Sequence, residues 1–381
     1  MYNSFTRENS KRLKNYFKPF NTLLGDPNDP DRFLFNVHGL PKIHLPSSMK
    51  NLPLIHELIK RKSLSAFIRS SYFFNNFRSV SHLHFELETV RLRYDFPFWI
   101  SKTYDPNFSF NGFQSLVRNL QKLHSSFSPL NVIIRKNEDQ DISNVIFLFI
   151  MWCKSFGQDH ANVMTVTSSK TDSKKFKSIL LDWSESSSSK KRKFIKTDYA
   201  NSIYNPSTKS KFWFVPYYSS GNCRGLDFTI LYFSNMGEWK NTGENSNDNI
   251  ISATFPVVNC SKDNMIILEA GPIKRNSIFT KEIRAAERNL TPFHIISMPW
   301  FDDHEKFYRF DFPVDKIKFF NNIIKYQNRK TFHNYPKVSG KKLFELWLRG
   351  LPLEAIHWYA SESLYYKSLS QFLNRFPDPT I

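Results

Sequence analysis

One stretch limits what this chain can fold into more than any other. Residues 130–153 read LNVIIRKNEDQDISNVIFLFIMWC. A short β-branched run, Val132-Ile133-Ile134, leads into a mostly polar segment from Arg135 to Asn144, and an apolar run over residues 145–152 follows. That order predicts a buried strand, a tight polar loop and a buried helix. In nucleotide-binding α/β proteins phosphates sit at this junction, because backbone N–H groups and the helix N-terminus face the anion. Here the loop holds no glycine. It is either a phosphate cradle of unusual sequence or the relic of one.

The surrounding chain repeats the strand–helix rhythm. Residues 162–167 (NVMTVT) alternate like a strand, and residues 210–217, 226–234, 264–270 and 292–300 give further strand-like runs. Between them, residues 111–123 place Phe113, Leu116, Leu120 and Leu123 on one helical face, and residues 170–183 read as another helix. Alternation of this kind predicts an α/β domain with a largely parallel sheet over residues 100–300. Residues 341–366 predict two helices broken at Gly350-Leu351-Pro352. Residues 54–70 show helical spacing, and residues 74–99 read as a second helical stretch that Pro97 limits. Residues 1–60 carry prolines at 19, 27, 30, 41, 46 and 53 and suggest only extended segments and short helices. Residues 184–196 (SESSSSKKRKFIK) read as an exposed basic loop.

Composition narrows the function classes. With 40% hydrophobic and 16% aromatic residues, the chain is globular rather than disordered. The net charge of +19 points to a polyanionic partner (DNA, RNA or an anionic surface) or to a solvated basic surface without one. No apolar run approaches the roughly 18–20 residues of a membrane span, and the N-terminus lacks the apolar segment of a signal peptide. A cytoplasmic protein without a membrane partner is expected. Cys153, Cys223 and Cys260 are too few and too scattered for a disulfide framework or a zinc site, and Cys153 is expected to pack. His82, His84 and His357 have no accompanying cluster and are read as non-ligands. Asp302, Asp303, His304 and Glu305 could hold a cation or form a solvated loop.

No strong single motif is present: GxxxxGK[ST], HExxH, paired CxxC and GxSxG are all missing. Several weaker segments fall in a telling order. They are RYDFPFW (93–99), FNGFQ (110–114), the loop after residue 134, NVMTVTSSK (162–170), NCRGLDFTILYFSNMGEW (222–239), NMIILEAGP (264–272), PFHIISMPWFDDHEKF (292–307) and LFELWLRGLPLEAIHWY (343–359). In that order the chain resembles the large subunit of phage terminases, the ATPase that drives DNA into a procapsid. The resemblance implies a P-loop NTPase fold (RecA/ASCE-like), a mostly parallel sheet flanked by helices with an N-terminal helical extension. It implies an extension over residues 1–90, an ATPase-fold domain over 91–340 and a C-terminal helical segment over 341–381, where a linker to a nuclease would begin. The sequence ends at Ile381, so no nuclease is expected.

The same resemblance assigns positions. Gln114 falls where a glutamine reads the adenine edge, though an ordinary polar residue at a helix start would look the same. Lys136 and Ser143 fall on the lysine and serine of the phosphate loop, and Asn144 falls on its threonine. Glu138 and Asp139 replace an Arg-Gln pair, and Asp141 and Ile142 replace two glycines. Arg224 and Gly225 match a turn before the Walker B strand. Ser234 and Trp239 match the strand's end, but Asn235 stands where the catalytic glutamate belongs, with Glu238 three residues on. Glu269 keeps the glutamate of the coupling motif, and Leu351, Glu354, Trp358 and Tyr359 match the helix that closes the domain.

These departures have physical consequences. Side chains in place of glycine stop the backbone from curling against phosphate oxygens. Each close like-charge contact between an acid and a triphosphate costs about 1 kcal/mol even in water. An amide at position 235 cannot take a proton from the attacking water. No cofactor is expected, with ATP and Mg²⁺ required only if the site is active. Three readings stand at this point. One is a catalytically degenerate terminase-like subunit of a phage, prophage or mobile element in the host bacterial cytoplasm. It would bind double-stranded DNA, with the portal, the small terminase subunit or other phage proteins as further partners. The second is an active packaging ATPase with an atypical loop and a separate nuclease. The third is an unrelated basic nucleic-acid-binding protein.

Overall fold

A computed structural model describes residues 21–27, 29–106, 108, 113–127, 129–136, 142–156, 161–186, 195–196, 201–206, 208–219, 227–239, 255, 264–271, 278–298, 300–302, 306–332, 335–368, 371–373 and 376. Arg224 and Gly225, the loop acids Glu138, Asp139 and Asp141, Asn111, Cys223, Cys260, residues 303–305 and most of the basic 184–196 segment lie outside the described residues.

The first described elements form an antiparallel hairpin, β1 (Arg32–Phe35) and β2 (Ile43–Pro46). Four helices follow: α1 (Pro53–Arg61), α2 (Leu64–Ile68), α3 (Ser71–Asn76) and α4 (Val80–Tyr94). They share one apolar cluster centred on Met49, Leu58, Phe67 and Leu83. Helix α5 (Phe96–Thr103) comes next. The single helical stretch expected over 74–99 is therefore parts of three helices, interrupted at residues 77–79 and at the extended Asp95. Ser70 accepts from Phe73 N and Ser79 from His82 N, so new helices start there. Pro97 also acts differently from expectation. It sits in the first turn of α5, where a fixed φ and a missing N–H cost nothing, and so it opens a helix rather than ending one.

The remaining elements build the α/β core. In chain order they are α6 (Gln114–Ser126), β3 (Leu130–Arg135), α7 (Ser143–Phe156), β4 (Asn162–Thr167), α8 (Lys170–Ser186), β5 (Ile195–Lys196), β6 (Ser202–Asn205), β7 (Ser210–Pro216), β8 (Ile230–Phe233), β9 (Met265–Ala270), α9 (Ile278–Glu287) and β10 (His294–Ser297). Among the described residues eight strands form one sheet in the order β10-β3-β9-β8-β4-β7-β6-β5. Pairing is parallel from β10 through β7 and antiparallel only at the β7–β6–β5 edge. The expected fold class is met: a mostly parallel sheet with helices on both faces, in which the loop strand β3 and the strand β8 lie one strand apart.

Alternation along the strands explains the two faces. Val132 and Ile134 of β3 join Tyr232 and Ile267 in a cluster under α5, α6 and α7, while Ile133 joins Phe233 and Leu268 in the opposite cluster under α9. Every residue from 145 to 152 is buried, which is why α7 is apolar all round rather than on one stripe. A separate C-terminal cluster gathers α10 (Pro313–Lys325), α11 (Gly340–Leu348) and α12 (Leu353–Glu362) around Trp300 and Tyr359. The break between α11 and α12 is a glycine stop. Gly350 takes φ +98°, and the amide of Leu351 donates to Leu346 O at 3.2 Å. Among the described residues no helix is long and apolar enough to cross a membrane.

Candidate functional site

The parallel register brings the ends of three neighbouring strands together. In β3 and β9, Ile134 pairs with Glu269 and Arg135 with Ala270, and in β9 and β8, Leu268 pairs with Phe233. Lys136, just past β3, donates its amide to Ala270 O at 3.0 Å. Residues 232 and 269 point to the α7 side of the sheet by strand alternation, and Ser143 opens α7 directly above them.

At this junction sits a fully buried carboxylate. Glu269 has no solvent exposure, and Lys136 and Ser143 are buried beside it. Lys136 Nζ approaches Glu269 Oε1 at 2.6 Å, and Ser143 Oγ donates to the same oxygen at 2.7 Å. The other oxygen accepts from Tyr232 OH and, at 3.4 Å, from Ser234 Oγ. The carboxylate thus has two donors on each oxygen, which fills its acceptor capacity. Its place at the N-terminus of α7 adds the favourable end of the helix dipole. Burial, and after it the neighbouring carboxylate, pushes the Tyr232 phenol well above its ordinary value of 10.0.

Four of the residues singled out from sequence, Lys136, Ser143, Ser234 and Glu269, therefore meet. The others do not join them. Asn235 follows Ser234 in a left-handed conformation, φ 51° and ψ 44°, and its carbonyl accepts from Glu238 N at 3.0 Å. Glu238 itself is exposed. The turn is pinned instead by Trp239, which stacks on Tyr217 at 5.4 Å and donates Nε1–H to Ser234 O at 3.1 Å. Gln114 begins α6 and lines a separate cavity of about 260 Å³ with Asp29, Arg32 and Arg118. Arg224 lies outside the described residues. Tyr232 completes the cluster. Tyr232 sits in the apolar run ILYF, and nothing in that run sets its hydroxyl apart from a packing tyrosine.

No family model matches the chain, and a search of curated proteins returns no relative. Among solved structures it is similar to a phage large terminase. That protein comes from a thermophilic bacteriophage and has been solved alone and with ATP-γ-S or ADP. Identity is 12%, 12% and 13% over 55%, 55% and 57% of this chain, each with a TM-score of 0.36. The matches cover 50%, 49% and 50% of the terminase, so this chain spans about half the length of the protein it matches.

The buried phenol gives the cluster a pH signature. A tyrosine whose pKa is raised by folding contributes stability that is complete below its unfolded value and is lost as pH rises through the folded one. Stability is expected to fall as pH climbs from about 10. Tyr232→Phe should flatten that alkaline slope, read as urea midpoints across the alkaline range. An identical slope in the variant would mean that Tyr232 is not the group responsible.

Proposed function

We propose that this chain is a terminase-like P-loop subunit whose nucleotide site has become an internal ion pair, and that it acts by binding double-stranded DNA within a phage or mobile-element packaging complex. One observation carries the reading. The lysine and the serine that would meet phosphate and Mg²⁺ in such a fold both spend their contacts on Glu269. The donor set does not fit a Mg²⁺–nucleotide. The Lys136 charge is already neutralised, Ser143 donates to a carboxylate, and the end of β8 offers Ser234 and Asn235 in place of acids. The sequence of the loop supports the same reading, since Glu138, Asp139 and Asp141 add negative charge where a triphosphate would need positive. The net charge of +19 supports a polyanionic partner, and the portal or a small terminase subunit would supply the protein contacts.

The test is nucleotide binding and turnover by the full chain. Millimolar Mg-ATP is expected to leave the melting temperature unchanged, whereas a ligand at 100 times its Kd would add about 2.7 kcal/mol. ATP hydrolysis that disappears in Lys136→Ala would overturn the inactive-site reading and favour the active ATPase. Duplex DNA should bind with a steep loss of affinity as salt rises. No binding at low salt would remove DNA as the partner.

A further inference from the structure

A second cavity lies at the opposite ends of the same strands. It measures about 450 Å³ and is bounded by Leu130 and Met265, the first residues of β3 and β9. Lys136 and Glu269 stand at the far ends of those strands. The volume is within the range of small-ligand sites.

Its walls have a particular chemistry. Tyr94, Phe127, Trp152 and Phe156 supply aromatic surface, and Arg93 and Lys154 supply positive charge. Among the described residues no carboxylate lines it. The aromatic wall is also held in place. Trp152 donates its indole N–H to Leu92 O at 2.9 Å and packs against His124 at 5.2 Å, and Phe127 lies over His294 with 3.9 Å between ring centroids.

Flat aromatic walls next to cations suit a planar ring that carries an anionic group. We propose that this cleft binds a nucleotide unit, its base stacked on the aromatic wall and its phosphate against Arg93 and Lys154. The unit would be either a free nucleotide or one residue of a single strand. The proposal does not depend on the state of the Glu269 cluster, since active and inactive nucleotide sites give the same expectation here.

The test uses the full chain without Mg²⁺, with thymidine monophosphate and a fluorescein-labelled oligothymidylate as probes. Phe127→Ala is expected to weaken binding roughly 5- to 100-fold, the range for losing one base–aromatic stack. The double variant Arg93→Glu/Lys154→Glu should weaken it too, and lower the log–log salt slope by about 0.7, the value for losing one phosphate contact on a single strand. Phe127 is 44% exposed and Arg93 is exposed, and circular dichroism checks that each variant folds. Loss with both probes assigns a free-nucleotide site, and loss with the oligonucleotide alone assigns a single-strand site. Either outcome supports the proposal. Three results would overturn it: neither probe binds the wild type, the cleft variants bind like the wild type, or Lys318→Glu on distant α10 weakens binding as much as they do.

Discussion

Replacing Glu269 with alanine is expected to destabilise the protein by about 3–5 kcal/mol, the usual cost of removing one partner from a buried ion pair. The loss has three sources in the geometry. The Lys136 ammonium, 7% exposed at its side chain, would be left without its carboxylate at 2.6 Å. The hydroxyls of Ser143 and Tyr232 would lose their acceptor. A gap would also open beneath the first turn of α7. The reverse change, Lys136→Met, leaves the carboxylate with its hydroxyl donors and should cost less. The double variant Lys136→Met/Glu269→Leu should recover part of the loss, since an apolar replacement of a whole buried pair is often neutral. Denaturant midpoints for the four proteins close a double-mutant cycle. Additive losses, or a single-variant loss under about 1 kcal/mol, would show that the pair does not hold the strand ends together.

Much of this site was visible in the sequence as separate residues, and little of it as a cluster. Lys136 and Ser143 came from the resemblance of the loop to a terminase phosphate loop, and Glu269 from the resemblance of its segment to that family's coupling motif. That Glu269 reaches both depends on β9 lying between β3 and β8, across 126 residues of chain from Ser143. Nothing local encodes that neighbour relation. The strands that could be read were those with apolar or alternating runs: β4, β7 and β9 fall within a residue of expectation, and β3 extends two residues before and one after its β-branched run. Expected strands at 226–234 and 292–300 shrink to Ile230–Phe233 and His294–Ser297, because only those residues find parallel partners. The β1–β2 hairpin was hidden by short, proline-bounded strands, and Ser202–Asn205 by having four residues with a mixed pattern. The helices Ile278–Glu287 and Pro313–Lys325 went unread although each buries an apolar face, against β10 and the C-terminal cluster respectively.

The largest effect away from the site is expected at Asp95, whose removal as Asp95→Ala should also cost about 3–5 kcal/mol. The sequence shows only an acid in RYDFPFW, but the structure buries it completely between two guanidinium groups. Arg32 from the hairpin grips it through two nitrogens at 2.8 and 3.2 Å, and Arg91 from α4 reaches it at 3.2 Å. Arg91 also donates to Thr22 O at 3.1 Å and lies 3.9 Å from the Phe98 ring centroid. One carboxylate therefore joins the N-terminal hairpin, α4 and the start of α5. It does not serve both cations equally. Burial is the largest influence on both and lowers both, but at Arg32 the attraction and hydrogen bond of Asp95 together with the charges of Asp29 and Asp26 outweigh it and the guanidinium rises above its ordinary value, while Arg91 stays below its own. With alanine at 95, two buried cations face each other with Asp29, 3.5 Å from Arg32, as a remaining acid. Adding Arg32→Met to Asp95→Ala should restore more stability than adding Arg91→Met, because Arg32 depends on the carboxylate more. Urea midpoints of the three variants decide it. Equal rescue by either methionine would mean that Asp95 acts as a general counter-charge and not as the bidentate partner of Arg32.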